Sequence, residues 1–182
     1  MFEALGSKLL AGVVSLSMLL FSTYTGNDPK LSGIRHTSSD SYIHLEANLI
    51  SAFENDFPSI FTSGTTIPVQ YQLTFKSGNR TVINRTYTNS VTFDPGKGTY
   101  EIRRAGTADA FFTRSYEEML AVVSLFKVSV PYQVAWGTVH VKLESSLPTV
   151  SFAQVDKAVD LMILWKYKKP SAKTQIDLRK IF

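Results

Sequence analysis

The chain has no cysteine. That removes disulfides, thiol nucleophiles, cysteine-bound zinc, iron–sulfur clusters and an N-terminal lipidated cysteine from consideration. It has no Gly-x-Ser-x-Gly elbow for a serine hydrolase. The Gly-Lys pair in "DPGKG" lacks the spacing and following helix of a phosphate-binding loop. No internal repeat and no low-complexity tract occurs. No apolar run reaches the roughly 20 residues that cross a bilayer core.

The longest apolar run is Leu9–Phe21, thirteen residues after Lys8. It fits the core of a secretory signal, usually about 7–15 residues. Small residues follow at Ser22, Thr23, Thr25 and Gly26, and cleavage after Thr25 puts Thr23 and Thr25 where small side chains are wanted. Glu3 weakens the positive start, and an uncleaved anchor is the alternative. The expectation is therefore an exported protein, periplasmic or otherwise in the cell envelope, held at the inner membrane if the leader stays. Residues 1–25 read as signal or anchor, 26–40 as a flexible tether, 41–170 as one domain and 171–182 as a basic tail. A 44% apolar and 19% charged composition places the domain among folded globules rather than disordered chains.

The net charge is +4 and sits at one end. From Lys157 to Phe182 there are seven Lys/Arg against two Asp, while residues 1–156 carry twelve against thirteen. Such an end meets anionic lipid or an acidic partner, or simply keeps a terminus solvated.

From residue 41 apolar and polar residues alternate, as in a strand with one wet face. Ile43, Leu45, Ala47 and Leu49 oppose Tyr42, His44, Glu46 and Asn48. Val69, Tyr71, Leu73 and Phe75 oppose Gln70, Gln72 and Thr74. Val139, Val141 and Leu143 oppose His140, Lys142 and Glu144. "SGN" at 77–79 and "DPGKG" at 94–98 are turns, so residues 66–105 predict a three-stranded meander. Two helices are predicted. One is short, with Pro58 in its first turn and Gly64 past its end. The other opens on a Ser115/Glu118 capping box and carries Met119, Val122, Val123 and Phe126 on one stripe. Pro131 then marks a strand entry. Residues 159–169 lack a clean period and fit a last strand slightly better than a helix. The fold class is α+β: an antiparallel sheet with two short helices packed on one face, in the order strand, helix, meander, helix, strand, strand.

Side chains with chemistry are dispersed. His44 and His140 lie on wet faces near Glu46 and Glu144, where a metal site would need further ligands. Glu46, Glu101 and Glu144 read as cross-strand ion-pair partners. Arg103, Arg104 and Arg114 flank Phe111 and Phe112. Basic residues beside aromatics can stack nucleic acid; export argues against it, and burial of both rings under the loop is the reading taken. No catalytic residue, metal or cofactor is assigned. The densest basic-aromatic cluster is Trp165, Lys166, Tyr167, Lys168 and Lys169, a candidate binding surface for a partner or a membrane surface; the plainer reading is a strand with Trp165 in the core and the lysines outside.

The stretches "FPSIFTSGTTIPVQYQLTF", "GTYEIRR", "TRSYEEMLAVVSLFKVSV" and "GTVHVKLES" together resemble, over roughly residues 41–147, a bacterial family of exported proteins, the domain of unknown function numbered 4390. The family's Trp-centred C-terminal strand is matched only loosely by "LMILWKYKKP", and the lysine excess is unusual for it. The resemblance implies an envelope domain of bacterial origin and brings no catalytic residues. The expected function is a non-catalytic envelope domain that binds a protein partner, without nucleic acid. The alternative is a carrier of a small apolar or lipidic ligand held between sheet and helices. An enzyme ranks third.

Overall fold

Alternation decides the layers. The computed structural model describes residues 25–39, 41–152 and 156–180, so the predicted leader lies, except for Thr25, outside the described residues. In chain order the elements are β1 (Lys30–Leu31), β2 (Arg35–Ser38), β3 (Tyr42–Ile50), α1 (Phe57–Phe61), β4 (Ile67–Ser77), β5 (Arg80–Asp94), β6 (Thr99–Arg103), β7 (Phe111–Thr113), α2 (Tyr116–Ser124), β8 (Leu125–Pro131), β9 (Thr138–Ser146), β10 (Thr149–Phe152), β11 (Lys157–Asp160) and β12 (Ser171–Asp177). Every strand pairing is antiparallel. Among the described residues the protein is mostly antiparallel sheet with two α-helices, consistent with α+β.

Six strands form one sheet in the order β12-β9-β4-β5-β6-β7. Its dry face carries Val69, Tyr71, Leu73, Phe75, Val139, Val141 and Leu143, all buried as their spacing predicts. The cover over that face is different from the expected one. A second sheet lies there, with β3 at its centre. β2 and β8 pair with overlapping stretches of β3 and so flank it on opposite sides, and β1 pairs with its C-terminal end. Ile43, Leu45, Ala47, Phe126, Val128 and Val130 of this sheet join the same core as the first. The Tyr71 and Phe126 rings meet across the layers at 5.1 Å. Strand alternation says that a face must be covered and not by what, and here another half-dry sheet is the cover. α2 packs against β5, β6 and β7 of one sheet and β3 and β8 of the other, so it bridges the layers rather than roofing one.

Both supposed loose ends belong to the fold. The predicted tether supplies β1 and β2, and Asn27 is buried, with its backbone N–H donating to the Leu164 carbonyl at 2.8 Å. The predicted tail supplies β12, which pairs with β9 from Ser171↔Glu144 to Asp177↔Thr138. Residues 159–169 are neither one strand nor a helix. β11 ends at Asp160 and a 3-10 turn, Leu161–Trp165, drops Leu161, Leu164 and Trp165 into the core.

The turns form as their residues require. Gly78, at φ +54°, closes the β4–β5 hairpin. Asp94 Oδ1 accepts from the Gly96 and Lys97 N–H groups at 2.9 and 3.2 Å. α2 is capped by Ser115 Oγ, which accepts from Glu118 N–H at 3.2 Å. The reciprocal half of the capping box runs through a relay: Ser115 N–H donates to Thr113 Oγ1 at 3.0 Å, and the Thr113 hydroxyl donates to Glu118 at 2.5 Å. The helix ends at Ser124, earlier than its stripe predicts, and passes into β8 with no turn between. Phe126 is thus a strand residue, and Pro131 ends β8 rather than opening a strand.

A helix that runs straight into a strand leaves carbonyls without intrahelical partners. Two side chains of the facing sheet supply donors. The Tyr71 hydroxyl donates to the Val123 and Ser124 carbonyls at 3.2 and 3.3 Å. Asn89 Nδ2 donates to the Val123 and Leu125 carbonyls at 2.9 and 3.0 Å, and its Oδ1 accepts from Ala105 N–H at 3.0 Å.

Asn89→Ala should cost about 2–4 kcal/mol in denaturant unfolding, because it strands buried backbone groups on both sides. Tyr71→Phe should cost about 1 kcal/mol at neutral pH. Burial also pushes the Tyr71 phenol well above its ordinary value. A raised folded value means the contribution is complete below the unfolded value, about 10, and lost as pH rises past it. Stability measured from pH 8 to 12 should fall less steeply in Tyr71→Phe than in the parent.

Candidate functional site

The predicted basic-aromatic cluster is split by its backbone. Trp165 is fully buried, with its indole N–H donating to the Ala52 carbonyl at 2.8 Å and its ring 6.1 Å from Phe53. It is therefore withdrawn from any contact surface. The chain then reverses in a tight turn, with Lys168 N–H donating to the Trp165 carbonyl at 2.9 Å. Lys166 and Tyr167 occupy the two central positions at φ +51° and +57°. That is the left-handed geometry favouring Gly or Asn, and other residues adopt it at a cost of about 1–2 kcal/mol each. Lys168 pairs with Asp28 at 2.6 Å, and this ammonium holds the Asp28 carboxyl below its ordinary range. Tyr167 stands 62% exposed, with Lys166 and Lys169 exposed around it.

The other predicted residues separate. His44 lies on β3 and His140 on β9, in different sheets, and His44 Nδ1 is 2.7 Å from Ser129 Oγ. Glu46 is answered in register from both sides, by Arg35 and by Lys127, the latter at 3.8 Å. Glu144 pairs with Lys142 and Glu101 with Arg103. Among the described residues no group of three or more His, Asp or Glu is arranged to hold a metal ion, and no helix is long and apolar enough to cross a membrane.

Phe111 and Phe112 overturn the expected burial. They lie on β7, the outermost strand of the large sheet, and are 41% and 62% exposed. β7 is hydrogen-bonded to β6 on one side, with Phe112 opposite Glu101 and Phe111 opposite Ile102. The signal was present in the sequence. Two consecutive aromatics on a strand must point to opposite faces, so one of them has to leave the core. Arg103, beside them, is bound to Glu101 at 2.5 Å.

Large side chains occupy the space between the sheets. Phe57, Phe61, Tyr71, Phe75, Phe126 and Trp165 are all less than 2% exposed within it. An aromatic series at 4.8–6.3 Å spacing runs from Trp165 through Phe53, Phe61, Tyr116 and Tyr100 to Phe93.

Tyr167→Gly should raise unfolding stability, by about 1 kcal/mol, since Gly relieves the left-handed strain at an exposed side chain, whereas Lys166→Gly should gain less, because the Lys166 stem packs over the buried Gly26. A fall in stability in either variant would show that the turn is held for packing. No family model matches the chain, and the curated proteins and solved structures likewise give no match.

Proposed function

We propose that the chain is a non-catalytic, exported domain of the cell envelope that binds a protein partner along the β7 edge. The observation that carries this reading is the pair of exposed rings, Phe111 and Phe112, on a strand whose outer side has no strand neighbour among the described residues. An edge strand offers unpaired backbone groups, and exposed aromatics offer contact area at low entropic cost. β7 is three residues long, so the rings rather than a long ladder would supply the affinity. The partner is an extended apolar segment of another envelope protein. The strained turn at Lys166 and Tyr167 supports a second contact, because a left-handed pair without Gly is a local cost that presents Tyr167 to solvent. The leader-like segment and the resemblance to exported bacterial domains support the envelope location. The carrier alternative, a ligand held between sheet and helices, has no specific observation in its favour.

A photoreactive amino acid at position 112, in the cell that makes the protein, should give one discrete protein adduct. The same probe at Ser151, on β10, should give none. Phe112→Ser should abolish that adduct when the probe is moved to position 111, with unfolding stability within about 0.5 kcal/mol of the parent. Adducts only to lipid, or equal labelling at positions 112 and 151, would overturn the reading.

A further inference from the structure

The far end of the large sheet carries an arrangement that the partner reading does not use. On its outer face, β4, β9 and β12 set two rows of side chains in register. One row is Lys76, His140 and Gln175; the next is Thr74, Lys142 and Lys173. Lys142 and Lys173 are therefore direct cross-strand neighbours, and Lys76 lies diagonal to Lys142. Like charges directly opposite on one face are unfavourable. Glu144 answers Lys142, and among the described residues no carboxylate pairs with Lys76 or Lys173. These six residues, with Val141 and Thr174, line an open cavity of about 430 Å³. Elsewhere the same protein neutralises its strand charges, as at Glu46 between Arg35 and Lys127. Uncompensated cations therefore gather where the surface is also concave.

We propose that this cavity is a binding site for a phosphate-class dianion carried on a small polar body. Ammonium groups from three strands supply the charge, and the Thr74 hydroxyl, the Gln175 amide and an imidazole N–H supply neutral donors. The cavity exceeds what a bare phosphate fills and has no aromatic lining for a sugar ring to stack on, so the charged group is the recognised part. The ligand would relieve the Lys142–Lys173 repulsion. The site lies at the β12 end of the sheet, with β5 and β6 between it and the β7 edge, and does not depend on the partner reading.

The test uses the described domain's own full chain and two probes, inorganic pyrophosphate and vesicles of phosphatidylcholine with or without phosphatidic acid. Pyrophosphate titrated at physiological salt should shift the amide resonances of residues 74–76, 140–142 and 173–175 saturably. Lys142→Gln and Lys173→Gln should each weaken binding at least tenfold, Glu144→Gln should tighten it, and Lys97→Gln should leave it unchanged. Without ligand, Lys173→Gln should raise the melting temperature at low salt, as removal of a repulsive pair requires. Vesicle binding that needs phosphatidic acid, fails in Lys173→Gln and is displaced by pyrophosphate assigns the dianion to a lipid headgroup. Pyrophosphate binding without vesicle binding assigns it to a soluble ligand. Equal weakening by Lys97→Gln, or no saturable shift at residues 140–142, would overturn the site.

Discussion

Three carbonyls at the α2–β8 junction set the relation between the two sheets. Val123, Ser124 and Leu125 close a helix that becomes a strand without a turn, so the usual Gly-based cap has no room to form. Their oxygens face an apolar interior, where an unpaired carbonyl is costly. Tyr71 on β4 and Asn89 on β5 reach across and satisfy them. Apolar packing between two half-dry sheets tolerates sliding and rotation. Four hydrogen bonds to fixed carbonyls do not. Asn89 also receives the Ala105 N–H, and so joins β5 to the segment after β6 that leads on to β7. The placement of the β7 edge thus follows from a buried polar residue two strands away.

The faces were legible in the sequence and the layers were not. Ile43 to Leu49 and Val69 to Phe75 show the same period of two, and each series is buried as that period requires. Nothing in a period states whether two such strands share a sheet or oppose each other, because that depends on contacts distant in sequence. The ends were misread for a related reason. "SAKTQID" has one large apolar residue, Ile176, so β12 is held mainly by its backbone pairing to β9. β1 and β2 have largely exposed side chains and are likewise joined to β3 through the main chain. Composition reports side-chain burial and is blind to a ladder built from N–H and C=O groups. Trp165 is followed closely by lysines, so its sequence context alone does not say whether the ring faces the surface or the core. A 3-10 turn followed by a left-handed pair lets successive residues point in unrelated directions, and the ring went inward.

The exceptions to local rules are therefore where function is to be sought. A sequence under selection for folding alone would bring local preference and global structure into agreement. Three places depart from that agreement: adjacent aromatics on an edge strand, lysines set opposite each other across β9 and β12, and a left-handed pair with neither Gly nor Asn. Each departure leaves the core intact, since none of Phe112, Lys142, Lys173 and Tyr167 is buried. A cost borne at the surface brings no packing benefit inside. Of the three, the lysine pair is the most informative, because the protein shows on β3 that it can neutralise such charges in register. Glu46 between Arg35 and Lys127 is the kind of arrangement that position 175, on the same face of β12 as Lys173, could have supplied with one carboxylate. Gln175 stands there instead, a donor without charge, which leaves the repulsion in place and the cavity cationic.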